Sequence, residues 1–189
     1  MVRAKPSDVT AIVVTRGDID INPVVRSLCD FDEVIVWDNS QREDLSCYGR
    51  FAAIAEARNE LIYVQDDDIL VPANYLVKCW EGKREILANK KPEEEWRFLG
   101  IGAIFPRDFT SVFQNYTDRF GGGADFHRVS DVVFAYQHPY RSVWIGYGEL
   151  EWSRAANRMY HQPDHYDVRI TARDRVMALG PQAGTASSD

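Results

Sequence analysis

Tyr63-Val64-Gln65-Asp66-Asp67-Asp68-Ile69 decides the fold of this chain. Three consecutive carboxylates follow the apolar segment Leu61-Ile62-Tyr63-Val64, which reads as a buried strand. Ionised carboxylates at the end of a buried strand are costly unless something compensates their charge. A hard divalent cation does so, because Mg²⁺ and Mn²⁺ prefer oxygen ligands. Side chains alternate along an extended chain, so Asp66 and Asp68 are predicted to point one way and Asp67 the other. That spacing presents two carboxylates to one ion. A solvated loop is the competing reading of such a run, and the place of this one after a third strand favours the metal.

The units before it set that place. Thr10-Ala11-Ile12-Val13-Val14-Thr15 is a continuous run of the kind buried on both faces of a sheet. Arg16-Gly17-Asp18 breaks it, and Asn22 with Pro23 opens a helix that ends near Asp30. Val34-Ile35-Val36-Trp37 is a second strand, closed by Asp38-Asn39-Ser40, and Tyr48 to Ala57 a second helix. The order β-α-β-α-β predicts a parallel sheet with right-handed crossovers. Ligands of such sheets bind outside the carboxyl ends of the strands. Thr15-Arg16, Asp38-Asn39-Ser40 and Asp66-Asp67-Asp68 are therefore expected to converge.

The later chain is predicted to hold a helix from Pro72 to about Ala88, a charged connector from Lys90 to Glu95 and a strand over Phe98 to Phe105. Gly100 and Gly102 in that strand imply either a close approach to the backbone or a bulge. Gly121-Gly122-Gly123 is a joint, either a mobile loop over a site or a plain connection. Strands are expected over Val129–Ala135 and Arg141–Ile145, and a helix over Glu149–Tyr160. The whole is read as one α/β domain over residues 1–180, with a small polar tail, 181–189, expected to be disordered.

Composition narrows the function. The 189 residues suffice for one domain with a full core. A formal net charge of -7 argues against a general nucleic-acid binder, which needs a basic footprint. No apolar run approaches the ~20 residues of a membrane span. Cys29, Cys47 and Cys79 are odd in number and widely spaced, the usage of a reducing, cytoplasmic compartment. The first βα turn, Thr15 to Asp20, lacks Gly-x-Gly-x-x-Gly, and the chain has no Gly-x-x-x-x-Gly-Lys-Ser/Thr. A dinucleotide-binding Rossmann protein and a P-loop NTPase are thereby disfavoured.

With strand ends Val14-Thr15-Arg16 and Trp37-Asp38-Asn39-Ser40 followed by the Asp-x-Asp run, the chain resembles glycosyltransferases of the GT-A fold, close to the family 2 type. The likeness covers about the first 70 residues well and the rest loosely. The chain is also similar to short glycosyltransferase-like proteins of actinobacteria and their phages, through Asn157-Arg158-Met159-Tyr160 and His165-Tyr166. The resemblance implies a Rossmann-like, mostly parallel sheet flanked by helices and a nucleoside-diphosphate sugar donor, with a uridine-diphosphate sugar favoured. The donor would lie against Thr15, Arg16, Asp38, Ser40, Gln65, Asp66 and Asp67, with Asp38 accepting from the base ring. Asp68, with Asp66 on the metal or the ribose, would hold Mn²⁺ or Mg²⁺ across the two phosphates, and His165, expected in a loop after Pro163-Asp164, is preferred over His161 as a further ligand. Arg50, Arg58 and Arg158 would reach the diphosphate, although Arg50 and Arg58 read equally well as helix-surface charges.

An inverting member needs a base for the acceptor hydroxyl. Glu149 is the first candidate and Asp131 the second, the latter because a carboxylate in an apolar strand has its pKa raised, with a satisfied buried acid as its other reading. Gly148 stands where the family usually has another acid. The acceptor would be a hydroxyl on a glycan, a protein or a small molecule. Tyr136, Tyr140, Trp144, Tyr147 and Trp152 crowd the second half, where some would line an acceptor groove and most would be core. The rivals are a sugar-nucleotide pyrophosphorylase, a degenerate domain that binds nucleotide or partner without turnover, and a metal-dependent phosphohydrolase.

Overall fold

The computed structural model describes residues 4–151 and 159–180. Its strands are β1 (Val9–Thr15), β2 (Glu33–Asp38), β3 (Leu61–Asp66), β4 (Ile69–Leu70), β5 (Ile86–Asn89), β6 (Ala103–Pro106), β7 (Tyr140–Val143) and β8 (Gly148–Glu149). The helices are α1 (Asn22–Ser27), α2 (Gly49–Ala52), α3 (Ala73–Lys78), α4 (Phe113–Phe120), α5 (Ala124–Gln137) and α6 (His165–Leu179). Six strands form one sheet in the order β2-β1-β3-β6-β5-β7. Five run one way and β6 runs against them. The expected class, an α/β domain with a mostly parallel sheet flanked by helices, is the one observed.

Strand alternation divides the core. Ile12, Ile62, Val64, Ile86, Ala88, Ala103 and Phe105 face one layer, with Phe51 of α2, Phe113 of α4 and Val132 to Ala135 of α5. Val9, Ala11, Val13, Tyr63, Leu87 and Ile104 face the other, with Val24 of α1 and Leu76 and Val77 of α3. The period of two along each strand sends neighbouring residues to opposite layers. Both faces are covered, which is why β1 and β3 read as unbroken apolar runs.

Five elements differ from the sequence reading. Val129–Ala135 is the middle of α5, not a strand, and every side chain in it is buried. A short apolar run buried on all sides carries no period to tell helix from strand. The helix opened by Pro72 stops at Lys78, and Ile86-Leu87-Ala88 joins the sheet as β5. The strand expected from Phe98 begins only at Ala103. Gly148–Glu149 forms β8 against β4 instead of opening a helix; residues 152–158 and the tail 181–189 lie outside the described residues. The helical stretch after Tyr48 is short: α2 sits between the 3₁₀ turns Ser46–Tyr48 and Ala53–Glu56.

The acidic run leaves the sheet in a tight turn. Asp66 ends β3, Asp67 and Asp68 form the turn, and β4 follows at once. Gln65, 1% exposed, pins this turn from beneath. It accepts a hydrogen bond from the Tyr63 hydroxyl at 2.8 Å and donates to the Ile69 carbonyl at 2.9 Å. Replacing it by Ala strands two buried polar groups, at about 1–3 kcal/mol each. Gln65→Ala should therefore lower the urea midpoint without changing the slope, and an unchanged midpoint would show that the turn holds without it.

Candidate functional site

The carboxyl ends of β1, β2 and β3 open on one edge of the sheet. Because β6 is antiparallel, the segment that enters it, Trp96 to Gly102, reaches the same edge. The Asp66 amide donates to the Gly100 carbonyl at 2.8 Å and fixes that approach. A Cβ on Gly100 would stand 2.1 Å from Asp66 Oδ2, so only glycine lets the carboxylate pack there. Of the two sequence alternatives for this glycine, close approach is the one realised.

A cavity of about 730 Å³ lies along this edge, within the range of ligand pockets. Thr15, Arg16, Asn39 and all three aspartates line its sheet side. The three turns therefore converge, with Asn39 representing the second. The predicted alternation of Asp66 and Asp68 against Asp67 does not hold, because the chain turns at Asp67 and brings all three to the cavity. Asp38 and Ser40 are not among the lining residues. Asp38 Oδ1 accepts from the Ser40 amide at 2.8 Å and the Ser40 hydroxyl at 2.7 Å, and both side chains press on Gly17. Gln65 lies beneath the turn, as described above.

Arg50 is the decisive side chain. It is 3% exposed and donates from Nη2 to Asp66 Oδ1 at 2.7 Å. Its Nε and Nη1 are buried without a hydrogen-bond partner. Burial alone would lower its pKa, but Asp66, Cys47 and Asp131 raise it, so it stays a cation. Of its two sequence readings, the helix-surface charge is excluded. Arg58 does fit that reading, being 66% exposed and paired with Asp32 and Glu33.

The opposite wall comes from α5 and α6, and little in the residue pattern announces it. Arg169 makes a bidentate pair with Asp131, at 3.2 and 2.9 Å. Arg128 does the same with Asp164, at 3.0 and 2.8 Å. His127 stacks on Tyr48 at 5.3 Å. His127, Arg128, Asp131 and Arg169 all line the cavity. Their one legible signal is helical spacing, and the strand expected over Val129–Ala135 concealed it. The Cys47 thiol also lines the cavity, but burial pushes it up to about 12 and leaves it protonated.

Of the two sequence readings of Asp131, the satisfied buried acid is the one realised, and the base is not. Burial would raise its pKa, but Arg169 and Arg50 outweigh burial and hold it below the ordinary carboxylate value. With both oxygens on Arg169, it is not poised as a base. Glu149 lies outside the cavity lining, exposed on β8 opposite Ile69, where the Leu150 amide bonds to the Asp68 carbonyl at 2.9 Å. His165 is the first residue of α6 and not a loop residue. Burial and then Arg169 lower its pKa, so it is held neutral. Arg158 and Trp152 lie outside the described residues.

Among the described residues no group of three or more His, Cys, Asp or Glu is arranged to hold a metal. His165 thus does not join Asp66 and Asp68 in such a cluster; its charged neighbours are Arg169, Asp131, Arg128 and Asp164. The aspartate turn still offers hard oxygen donors on one side of the cavity. Mg²⁺ commonly takes one or two carboxylates and completes its shell with waters and substrate phosphates. The donor set fits an ion shared with a phosphate ligand and does not fit a closed protein site.

No family model and no curated protein sequence matches the chain. Among solved structures, it is similar to a protein of Aquifex aeolicus VF5, with 13% identity and a TM-score of 0.51 over 75% of this chain and 89% of that one. It is also similar to the inositol-1-phosphate CTP transferase of T. maritima, with 13% identity and a TM-score of 0.48 over 87% and 96%. A third structure is a mannosyltransferase from Pyrobaculum calidifontis in complex with GDP-Man and Mn²⁺, with 18% identity and a TM-score of 0.40 over 74% of this chain and 56% of that one. At such identity the Aquifex likeness is one of fold alone. No helix among the described residues is long and apolar enough to cross a membrane.

The Asp131–Arg169 pair yields a stability prediction. A depressed carboxylate pKa contributes stability that is present above the unfolded value and lost as pH falls through the folded one. Asp131→Asn removes one partner of a buried pair, at a cost of about 3 kcal/mol at pH 7. The gap from wild type should narrow as pH falls below the ordinary carboxylate value of 3.8. Parallel denaturation curves at all pH values would contradict this.

Proposed function

We propose that this protein is a metal-dependent glycosyltransferase that moves a sugar from a nucleoside-diphosphate sugar to a hydroxyl acceptor. The observation that carries the proposal is the cavity's charge layout. Three carboxylates on one turn face arginines from α2, α5 and α6, one of them a buried cation with donors unused. That pattern suits a ligand that is itself polyanionic and arrives with a divalent ion.

The nucleoside lies toward Thr15, Arg16 and Asn39, with Asp38 and Ser40 shaping the turn behind it. A uridine diphosphate is the favoured donor nucleotide. The diphosphate lies at the middle, by Asp66, Asp67 and Asp68. Asp66 and Asp68 would hold Mn²⁺ or Mg²⁺, which would supply Lewis-acid neutralisation of the leaving diphosphate. Breaking the sugar–phosphate bond builds negative charge, and Arg50 and Arg169 are fixed cations aimed where it develops. Arg50 also holds Asp66 in place before the ligand arrives. Glu149, outside the cavity lining but joined to the aspartate turn through the pairing of β8 with β4, is the base for the acceptor hydroxyl, which reaches it at the rim.

A sugar-nucleotide pyrophosphorylase is the second reading, favoured by the same arginine wall, which would also accept a triphosphate. It releases inorganic pyrophosphate from a nucleoside triphosphate and a sugar phosphate, whereas the glycosyltransferase releases nucleoside diphosphate from a sugar nucleotide. Assaying both products separates the two, and turnover of neither, with nucleotide still bound, leaves a binding domain.

Two substitutions test the roles. Asp68→Ala should abolish the Mn²⁺-dependent part of nucleotide binding in calorimetry with the fold intact; metal-dependent binding equal to wild type would remove Asp68 from the site. Glu149→Gln should keep donor affinity and lose transfer by ~10²–10⁴-fold. If transfer survives, the protein base is elsewhere or the leaving diphosphate takes the proton.

A further inference from the structure

The cavity has an end that the nucleotide does not explain. The sheet order fixes a sequence of positions along its edge: Asn39 after β2, Thr15 after β1, the aspartates after β3, then the segment that enters β6. A donor with its base near Asn39 and its phosphates at the aspartates points its sugar toward that last segment. There the chain presents Trp96 and Phe98 to the cavity. Arg97 between them turns away, with its guanidinium over Tyr136 at 5.2 Å and Tyr140 at 5.4 Å. The Tyr140 hydroxyl donates to the Phe98 carbonyl at 3.0 Å and holds the segment in place.

The facing wall is α6. Tyr166 and Arg173 are seven residues apart and share one helix face. Arg173 covers one side of the Trp96 ring at 4.9 Å. Tyr166 lines the cavity although it is 65% exposed, with His165 edge-on to it at 5.1 Å. Half-buried Trp96 and Phe98 on one wall and exposed Tyr166 on the other thus line the same cavity, together with Gln162, His165 and the Asp131–Arg169 pair. Partly accessible aromatic faces beside fixed hydrogen-bonding groups suit a ligand with an apolar face and a polar rim.

We propose that Trp96, Phe98 and Tyr166 form a saccharide-binding platform, which receives the acceptor as a hexopyranose ring stacked on its C–H face. The inference rests on the donor reading above, which supplies the direction of the cavity. A lipid chain fits less well, because it would strip water from the bordering charges without replacing it. A nucleobase would stack equally well, but its place lies on the far side of the aspartates. The platform also moves the acceptor contacts away from the aromatics first expected to make them. Tyr136, Tyr140, Trp144 and Tyr147 do not line this cavity; Trp144 packs edge-on to Tyr147 at 5.9 Å.

The test is saturation-transfer NMR on the full chain with methyl gluco-, galacto- and mannopyranosides, with and without nucleoside diphosphate and Mn²⁺. Signals on the ring C–H protons of at least one glycoside are expected, strengthened by nucleotide. Tyr166→Ala and Trp96→Ala should each weaken apparent affinity about three- to tenfold, the size of one aromatic stacking contact. Trp144→Ala should leave it unchanged. Tyr166 is exposed, so its variant folds even where the Trp96 variant does not. Nucleotide binding without any glycoside signal overturns the platform and leaves the donor site standing. Glycoside signals insensitive to both variants also overturn it, as does a free nucleoside that uses Trp96 and Tyr166 instead. Failure to bind nucleotide at all is the separate failure of the donor reading.

Discussion

The contact between Arg50 and Asp66 is what the rest of the site depends on. A strand buried on both faces ends in three carboxylates, and charge of that density is unstable next to a core unless countered. The chain counters it with a guanidinium brought up through the floor of the cavity. From there the charges alternate: Asp66 to Arg50, Arg50 to the field of Asp131, and Asp131 to Arg169 on α6. The series ties the end of β3 to two helices distant in sequence, so the two walls of the cavity are held by the same electrostatics that would meet a ligand.

This arrangement separates affinity from chemistry. Arg169 is saturated by Asp131 with two hydrogen bonds, whereas Arg50 has given one nitrogen to Asp66 and keeps buried donors in reserve. A buried, unsatisfied donor is costly, and such costs persist where a ligand relieves them. The glycine at position 100 belongs to the same design, since any larger residue would push Asp66 off its place. Positioning is thus built into backbone contacts and core polar groups such as Gln65, while the groups left over face the cavity.

The antiparallel β6 has the second large consequence. It brings the segment before it, and not the one after it, to the edge where the parallel strands end. Trp96 and Phe98 reach the cavity for that reason alone. The same reversal lets β5 and β7 end on that edge, where Asn89 holds the Gly146 carbonyl and the Ile145 amide and carries the chain toward β8. The donor side of the cavity is therefore built from local β-α-β units, and the opposite side from contacts between distant parts of the chain.

That division separates what the sequence determined from what the tertiary structure decided. Apolar runs at Thr10–Thr15, Val34–Trp37 and Leu61–Val64, each followed by a polar turn, were enough to order three parallel strands and bring Thr15, Arg16, Asn39 and the aspartates to one edge. Hydrophobic period and turn chemistry are local, so they survive in one dimension. Val129–Ala135 has no such period, because it is buried on every side, and only packing between the sheet and α6 makes it a helix. The depressed pKa of Asp131 and the burial of Arg50 are set by partners 38 and 16 residues away, and so is the turning of Asp67 toward its neighbours by the route of the chain into β4. Electrostatics acts through space, and only the folded chain brings those charges within reach of one another.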